Sequence, residues 1–221
     1  MRIFKLTTLA LLGLSLTVTT VDALADDAPV EDQYAQIELG NIQEFNPTWE
    51  KAKNIQEMIT TWETQLNKLQ DDTRQAAGIA TDAPIEKAFE DMLATAGDKL
   101  TVAIDSGQPK VTVTADDAPD NVKAFVATVD SGVAVCKNII ENGKAIPGEI
   151  DALVDEAKGL PSQLTPSILK DNGLKARDLK TEKATIANNT NALKDTKPRL
   201  EGVISAATEF VNLVKSLAPA G

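Results

Sequence analysis

The amino-acid sequence predicts an all-α protein: an antiparallel bundle of four to five long helices behind an N-terminal signal peptide, with a short extended crossover near residues 105–117. Three observations carry that expectation. Aromatic residues make up only 4% of the chain, whereas strand-rich proteins draw heavily on aromatic and β-branched side chains. Strict apolar–polar alternation is nearly absent. Apolar residues instead return every three or four positions in one stretch after another, with proline, glycine and Asn-Gly pairs between them.

The first 25 residues read as an address. Arg2 and Lys5 precede an apolar run, Leu6 to Val21, which closes on Ala23-Leu24-Ala25 before Asp26-Asp27. A basic start, a short apolar core and small residues before the junction describe a cleavable secretory signal over residues 1–25. The run is shorter than the roughly 20 apolar residues of a membrane span, and acids follow at once. Residues 26–46 form an acidic N-terminal segment or short helix, with Tyr34, Ile37, Leu39, Ile42 and Phe45 loosely spaced; a leading helix is expected. The helical bundle then occupies residues 47–221.

Asn46-Pro47 marks a helix start, proline being suited to the first helical position. From there Ala52, Ile55, Ile59, Trp62, Leu66, Leu69, Thr73 and Ala76 alternate three and four apart, a coiled-coil-like seam, until Gly78. Trp49 precedes that seam and is the better candidate for an exposed ring, although packing at the bundle end explains it more simply. A second helix opens at Asp82-Ala83-Pro84 and uses Ile85, Phe89, Met92, Ala96 and Leu100. Lys110 to Thr114 alternates valine with threonine, yet no partner strand is evident, so the segment reads as a crossover. An exposed strand edge that recruits another protein is the alternative.

The third helix begins near Asp117-Ala118-Pro119, with Asp117 as its cap, and its stripe is Val122, Phe125, Val129, Val133, Cys136 and Ile140. Cys136 is the only cysteine, so no intramolecular disulfide holds the fold. On that stripe a thiol acts as a small apolar filler. A reactive thiol needs a neighbouring cation or imidazole, and the chain contains no histidine. After Asn142-Gly143, Ile146, Ile150, Leu153, Ala157 and Leu160 form another stripe. Pro161 and Pro166 bracket a short piece with Leu164, Ile168 and Leu169, and Asn172-Gly173 is a turn.

The last helix is expected from about Leu174 to Leu217. Leu179, Ile186, Leu193, Leu200, Ala207 and Val214 recur every seven residues. Their companion positions are Lys183, Thr190 and Lys197 in the first half but Ile204 and Val211 in the second. The first half therefore has only a narrow apolar line. Pro198, between the halves, should kink the helix or divide it.

Charge is uneven. The chain carries a net −11, with 20 acids against 7 bases over residues 26–120 but 8 bases against 4 acids over residues 170–199. Such acidity disfavours nucleic-acid binding, because phosphates would be repelled. The basic segment either lies against the acidic helices of its own bundle or meets an anionic surface. Its cations Lys175, Arg177, Lys180, Lys183, Lys194 and Lys197 are the candidate contacts for a protein partner or an anionic envelope surface.

Motifs for catalysis and cofactors are missing from the sequence. Without histidine there is no common serine or cysteine triad and no imidazole for zinc or haem. The glycine-rich phosphate loops are absent as well. The carboxylates Glu86, Glu90 and Asp91, and Asp116, Asp117 and Asp120, read as solvated faces and caps. No catalytic residue, cofactor or metal site is assigned, and no span beyond the signal. The expected function is a non-catalytic exported protein, periplasmic or secreted, that works through its helical surface as an adaptor, scaffold or chaperone-like binder. The alternatives are a bundle that associates with membrane surfaces and a carrier of a small apolar ligand between helices.

Overall fold

The computed structural model describes residues 34–105 and 107–218, so the expected leader at 1–25 and the start of the acidic segment lie outside the described residues. What it describes is mostly helical and bundle-like, but not all-α: a two-stranded sheet is inserted. The helices are α1 (Asn46–Ala77), α2 (Ile85–Ala96), α3 (Asp120–Gly143), α4 (Ile146–Gln163), α5 (Pro166–Asp171) and α6 (Leu179–Ser216). The strands, between α2 and α3, are β1 (Leu100–Asp105) and β2 (Gln108–Val113).

Helix α1 is the central wall, packing on α2, α3, α4 and α6. Its seam does what its spacing dictates, since Ala52, Ile55, Ile59, Trp62, Leu66, Leu69 and Thr73 are all buried. Trp49 is buried too, so its ring closes the bundle end and is not exposed. Gly78 ends the helix in the left-handed conformation (φ 72°), its N–H reaching back to the Arg74 and Gln75 carbonyls, the usual reason for glycine after a helix. On α3 the stripe is as expected except that Ile139 takes the deep position and Ile140 only flanks it. Phe89 of α2 meets Phe125 of α3 and Phe210 of α6 edge-on, at centroid distances of 5.1 and 6.0 Å. That geometry suits the ring quadrupoles and ties three helices at one point. At Gly132 an added Cβ would overlap Leu69, so this glycine lets α3 close on α1.

The crossover expected at 105–117 is a hairpin arm with a partner. Gly97 (φ 58°) stops α2, one 3-10 turn follows, and Leu100 starts β1; it does not continue the α2 stripe. The register pairs Leu100 with Val113 through to Asp105 with Gln108, and Thr114 N–H donates to the Lys99 carbonyl at 2.9 Å. Bonded and unbonded pairs alternate in an antiparallel ladder. Pro109, opposite Ile104, therefore falls at an unbonded position, where its missing N–H faces away from β1. Proline is tolerated in a strand only in such places. Leu100, Val102 and Val111 turn inward, with β2 against α3. Asp117, expected to cap α3, instead pairs with Lys99 at the hairpin base (2.8 Å), which holds its carboxyl below the usual range.

Three further expectations are corrected. Residues 35–40 form no helix; they run as an irregular strap into a 3-10 turn at Gln43–Phe45. Helix α6 starts at Leu179, after a 3-10 turn at Ala176–Asp178, and not at Leu174. Nor does Pro198 divide α6. It is exposed, so the carbonyl it leaves unbonded, that of Lys194, faces water, which can satisfy it.

Truncating Phe89 to alanine should cost about 3–5 kcal/mol of unfolding free energy, read from urea denaturation, because three helices lose one shared anchor.

Candidate functional site

The basic segment divides into paired and unpaired cations. Lys197, half-buried, reaches across to Asp151 of α4 at 2.7 Å, a bond that holds its ammonium above the usual range. Arg177 pairs only with its neighbour Asp178, at 3.7 Å. Lys175, Lys180, Lys183 and Lys194 are exposed, and among the described residues no ion pair ties them to an acid. The spacing of 180, 183 and 194 is three and then eleven, so one face of α6 carries all three. The first half of α6 thus neutralises itself through Lys197 and keeps a solvent-facing cationic row.

The other face of that half-helix holds residues that sequence reasoning missed. Glu182, Asn189, Thr190 and Thr196 are buried, as is Gln56 on α1. Buried polar groups need partners: Thr190 and Thr196 donate to carbonyls of their own helix, those of Ile186 and Ala192, whereas Gln56, Asn189 and Glu182 meet the strap. Gln56 accepts from Ile37 N–H (3.0 Å) and donates to the Ala35 carbonyl (3.2 Å). Asn189 accepts from Glu38 N–H (3.2 Å) and donates to the Glu38 carbonyl (2.7 Å). Each carboxamide therefore offers one acceptor and one donor to an extended main chain. Gln56 is itself steadied by donating to Thr196 Oγ1 (3.2 Å). Further along, Asn41 donates to Glu182 (2.8 Å), and Asn172 accepts from Gln43 N–H (3.0 Å). The strap lies in a furrow between α1 and α6, fixed by these amides and by buried Ile37 and Ile42.

Arg199 is the rivet of the furrow. Its side chain is 3% exposed; Nε bonds Glu63 Oε1 at 2.8 Å, and one Nη meets Thr60 Oγ1 at 2.8 Å and Glu63 Oε2. The guanidinium also lies over the Tyr34 ring, 4.4 Å from its centroid, a cation–π contact. Arg199 thereby joins α6, α1 and the strap.

Two hollows open at the surface. One, about 370 Å³, lies beside the strap and is lined chiefly by carboxamides and carboxylates: Gln36, Glu38, Asn188, Asn189, Asn191 and Asp195. The other, about 510 Å³, lies between α1 and α4, with Ile55, Met58 and Leu153 at its floor and Lys51, Glu149 and Glu156 around it. Neither is lined by the stripes of residues 122–140 and 200–217. No described helix is long and apolar enough to cross a membrane. Cys136 is fully buried and free, and desolvation pushes its thiol up to about 12. Comparison with family models, curated proteins and solved structures gave no match to this chain.

Two predictions follow from buried charge and buried thiol. Glu63→Ala strands a desolvated guanidinium and should cost about 3 kcal/mol. Arg199→Met should cost less, since Glu63 is part-exposed and can rehydrate; urea titration of both variants checks the order. For Cys136, the unfolded thiol releases its proton near 9.0 and the folded one only near 12. Between those values the native state holds the extra proton, so stability falls as pH rises through that window. Cys136→Ala should flatten that alkaline decline relative to wild type, as read from melting temperatures at pH 8 to 11.

Proposed function

We propose that this protein is an exported, non-catalytic binding protein, an antiparallel helical bundle that acts outside the cytoplasm as an adaptor, scaffold or chaperone-like binder. The observation that carries this reading is the row of exposed, acid-free cations on the first half of α6, Lys180, Lys183 and Lys194, with Lys175 just before it. In a chain of net charge −11, an internal use for those lysines was available among many carboxylates. Only Lys197 takes it. The remaining row gives an otherwise acidic protein a local field that attracts an acidic partner and orients it on α6.

Binding through such a row is electrostatic and exposed, so it weakens as salt rises. Immobilised wild-type chain should retain an acidic protein from an extract of the exporting cell at low salt. The triple variant Lys180→Glu, Lys183→Glu, Lys194→Glu should retain at least tenfold less of it with an unchanged circular dichroism spectrum. Equal retention by the two proteins would refute the assignment of this face. The same pair of proteins, floated with phosphatidylglycerol liposomes, tests the second reading suggested by the same lysines, association with an anionic membrane surface.

A further inference from the structure

The middle of the strap is held in its furrow chiefly through its main chain. Over residues 34–41 a single side chain, Ile37, is buried. Tyr34 and Leu39 are 42% and 49% exposed although both are large and apolar. Its ends are tied by side chains, the Tyr34 ring under Arg199 and Asn41 on Glu182, but between them the hold is main chain: Ala35 C=O and Ile37 N–H on Gln56, then Glu38 N–H and C=O on Asn189. A carboxamide that offers an acceptor and a donor to main-chain groups recognises any extended chain, because every non-proline residue presents those same two groups.

Part of the receptor half is held by groups outside the strap. Gln56 and Asn189 project from long helices that pack on each other. Gln56 is held by Thr196, whose hydroxyl in turn donates to the Ala192 carbonyl at 2.9 Å. Arg199 spans the helices to Thr60 and Glu63. The main-chain groups of Ala35, Ile37, Glu38 and Gly40 bond to side chains, those of Gln56, Asn189 and Asn46. Sites that are preformed and read the main chain are how extended peptides are bound in trans.

We infer that the α1–α6 furrow is a binding site for an extended polypeptide segment, closed in cis by residues 34–41. Its occupant in trans is an unfolded segment carrying one branched aliphatic residue among small or polar neighbours, the pattern of Ala35-Gln36-Ile37-Glu38. This rests on the reading of the protein as a binder and names the class of partner. The strap then acts as a tethered competitor. Ligands that displace it bind with an affinity reduced by the fraction of time the furrow is closed, which limits capture to segments present at high local concentration.

The test uses the full chain and a fluorescein-labelled peptide of residues 33–43. Ile37→Asp removes the strap's one buried side chain and should open the furrow. The peptide should bind that variant at least tenfold more tightly than wild type, by fluorescence anisotropy. Adding Gln56→Leu and Asn189→Leu should abolish binding. N-methylation of the peptide at the Ile37 nitrogen should weaken it at least tenfold, which a merely hydrophobic contact would not show. Absence of peptide binding by an Ile37→Asp chain with wild-type circular dichroism overturns the inference. So does failure of that variant to fold, because the strap would then be an obligatory part of the core. Hydrogen exchange on the unaltered chain decides independently: the Ile37 and Glu38 amides should exchange at least a hundredfold faster than those of Ile59 and Leu66, and equal protection overturns the inference. The lysine-reversal variant tests only the α6 face, so either result can fail while the other stands.

Discussion

An extended chain laid on a helical bundle brings N–H and C=O groups that no helix can satisfy, and leaving them unbonded in a buried furrow is costly. Much of this structure answers that constraint. Gln56 on α1 and Asn189 on α6 stand where a bundle would otherwise place leucine, and Thr196 holds the first of them in position. The first half of α6 is weakly apolar for the same reason. Its inward face meets a peptide backbone, whereas its second half, with Leu200, Val203, Ala207, Phe210 and Val214 buried, meets other helices.

Charge follows the same division. Arg199 sits at the boundary between the two halves of α6, where it meets Tyr34 at the start of the described strap and α1 offers Glu63. A buried guanidinium is tolerated there because the Glu63 carboxylate and the Thr60 hydroxyl accept its hydrogen bonds, and the ring face of Tyr34 covers it. Replacing such a cluster with apolar groups often gains stability, so its use is better understood as registration. It fixes α6 against α1 at the height at which Gln56 and Asn189 face the same stretch of strap.

The helices were legible in the sequence because each buries one stripe. The seam from Ala52 to Thr73 and the line from Leu179 to Val214 could be read by spacing alone, and Gly78 and Gly173 marked ends that both adopt positive φ. The hairpin was not, for a physical reason. Leu100 lies four residues beyond Ala96 and extends the α2 stripe perfectly well; only Gly97 at φ 58° shows that the chain has turned. With β1 absorbed into a helix, β2 had no partner. Pro198 misled in the opposite direction, since a proline interrupts a helix badly only where the lost bond is buried. The strap was missed because its fit is carried by main chain, which leaves no side-chain period. Gln56 and Asn189 did leave a trace, as polar residues on otherwise apolar faces, but spacing cannot say what such residues are bonded to.

The two faces of α6 therefore differ in chemistry, and the two proposed binding modes differ with them. Toward solvent, lysines three and eleven residues apart present charge without shape, which steers encounter and is weakened by salt. Toward α1, carboxamides present shape without charge, which selects an extended backbone and tolerates many sequences. Each half alone is a poor discriminator. Set back to back on one helix, the two proposed modes together would favour a chain that is acidic overall and locally unfolded. The strap shares part of that character: it follows an acid-rich stretch of sequence, carries Glu38, and contributes one aliphatic anchor to the furrow. The chain thus contains, in cis, an example of the extended segment proposed for the furrow.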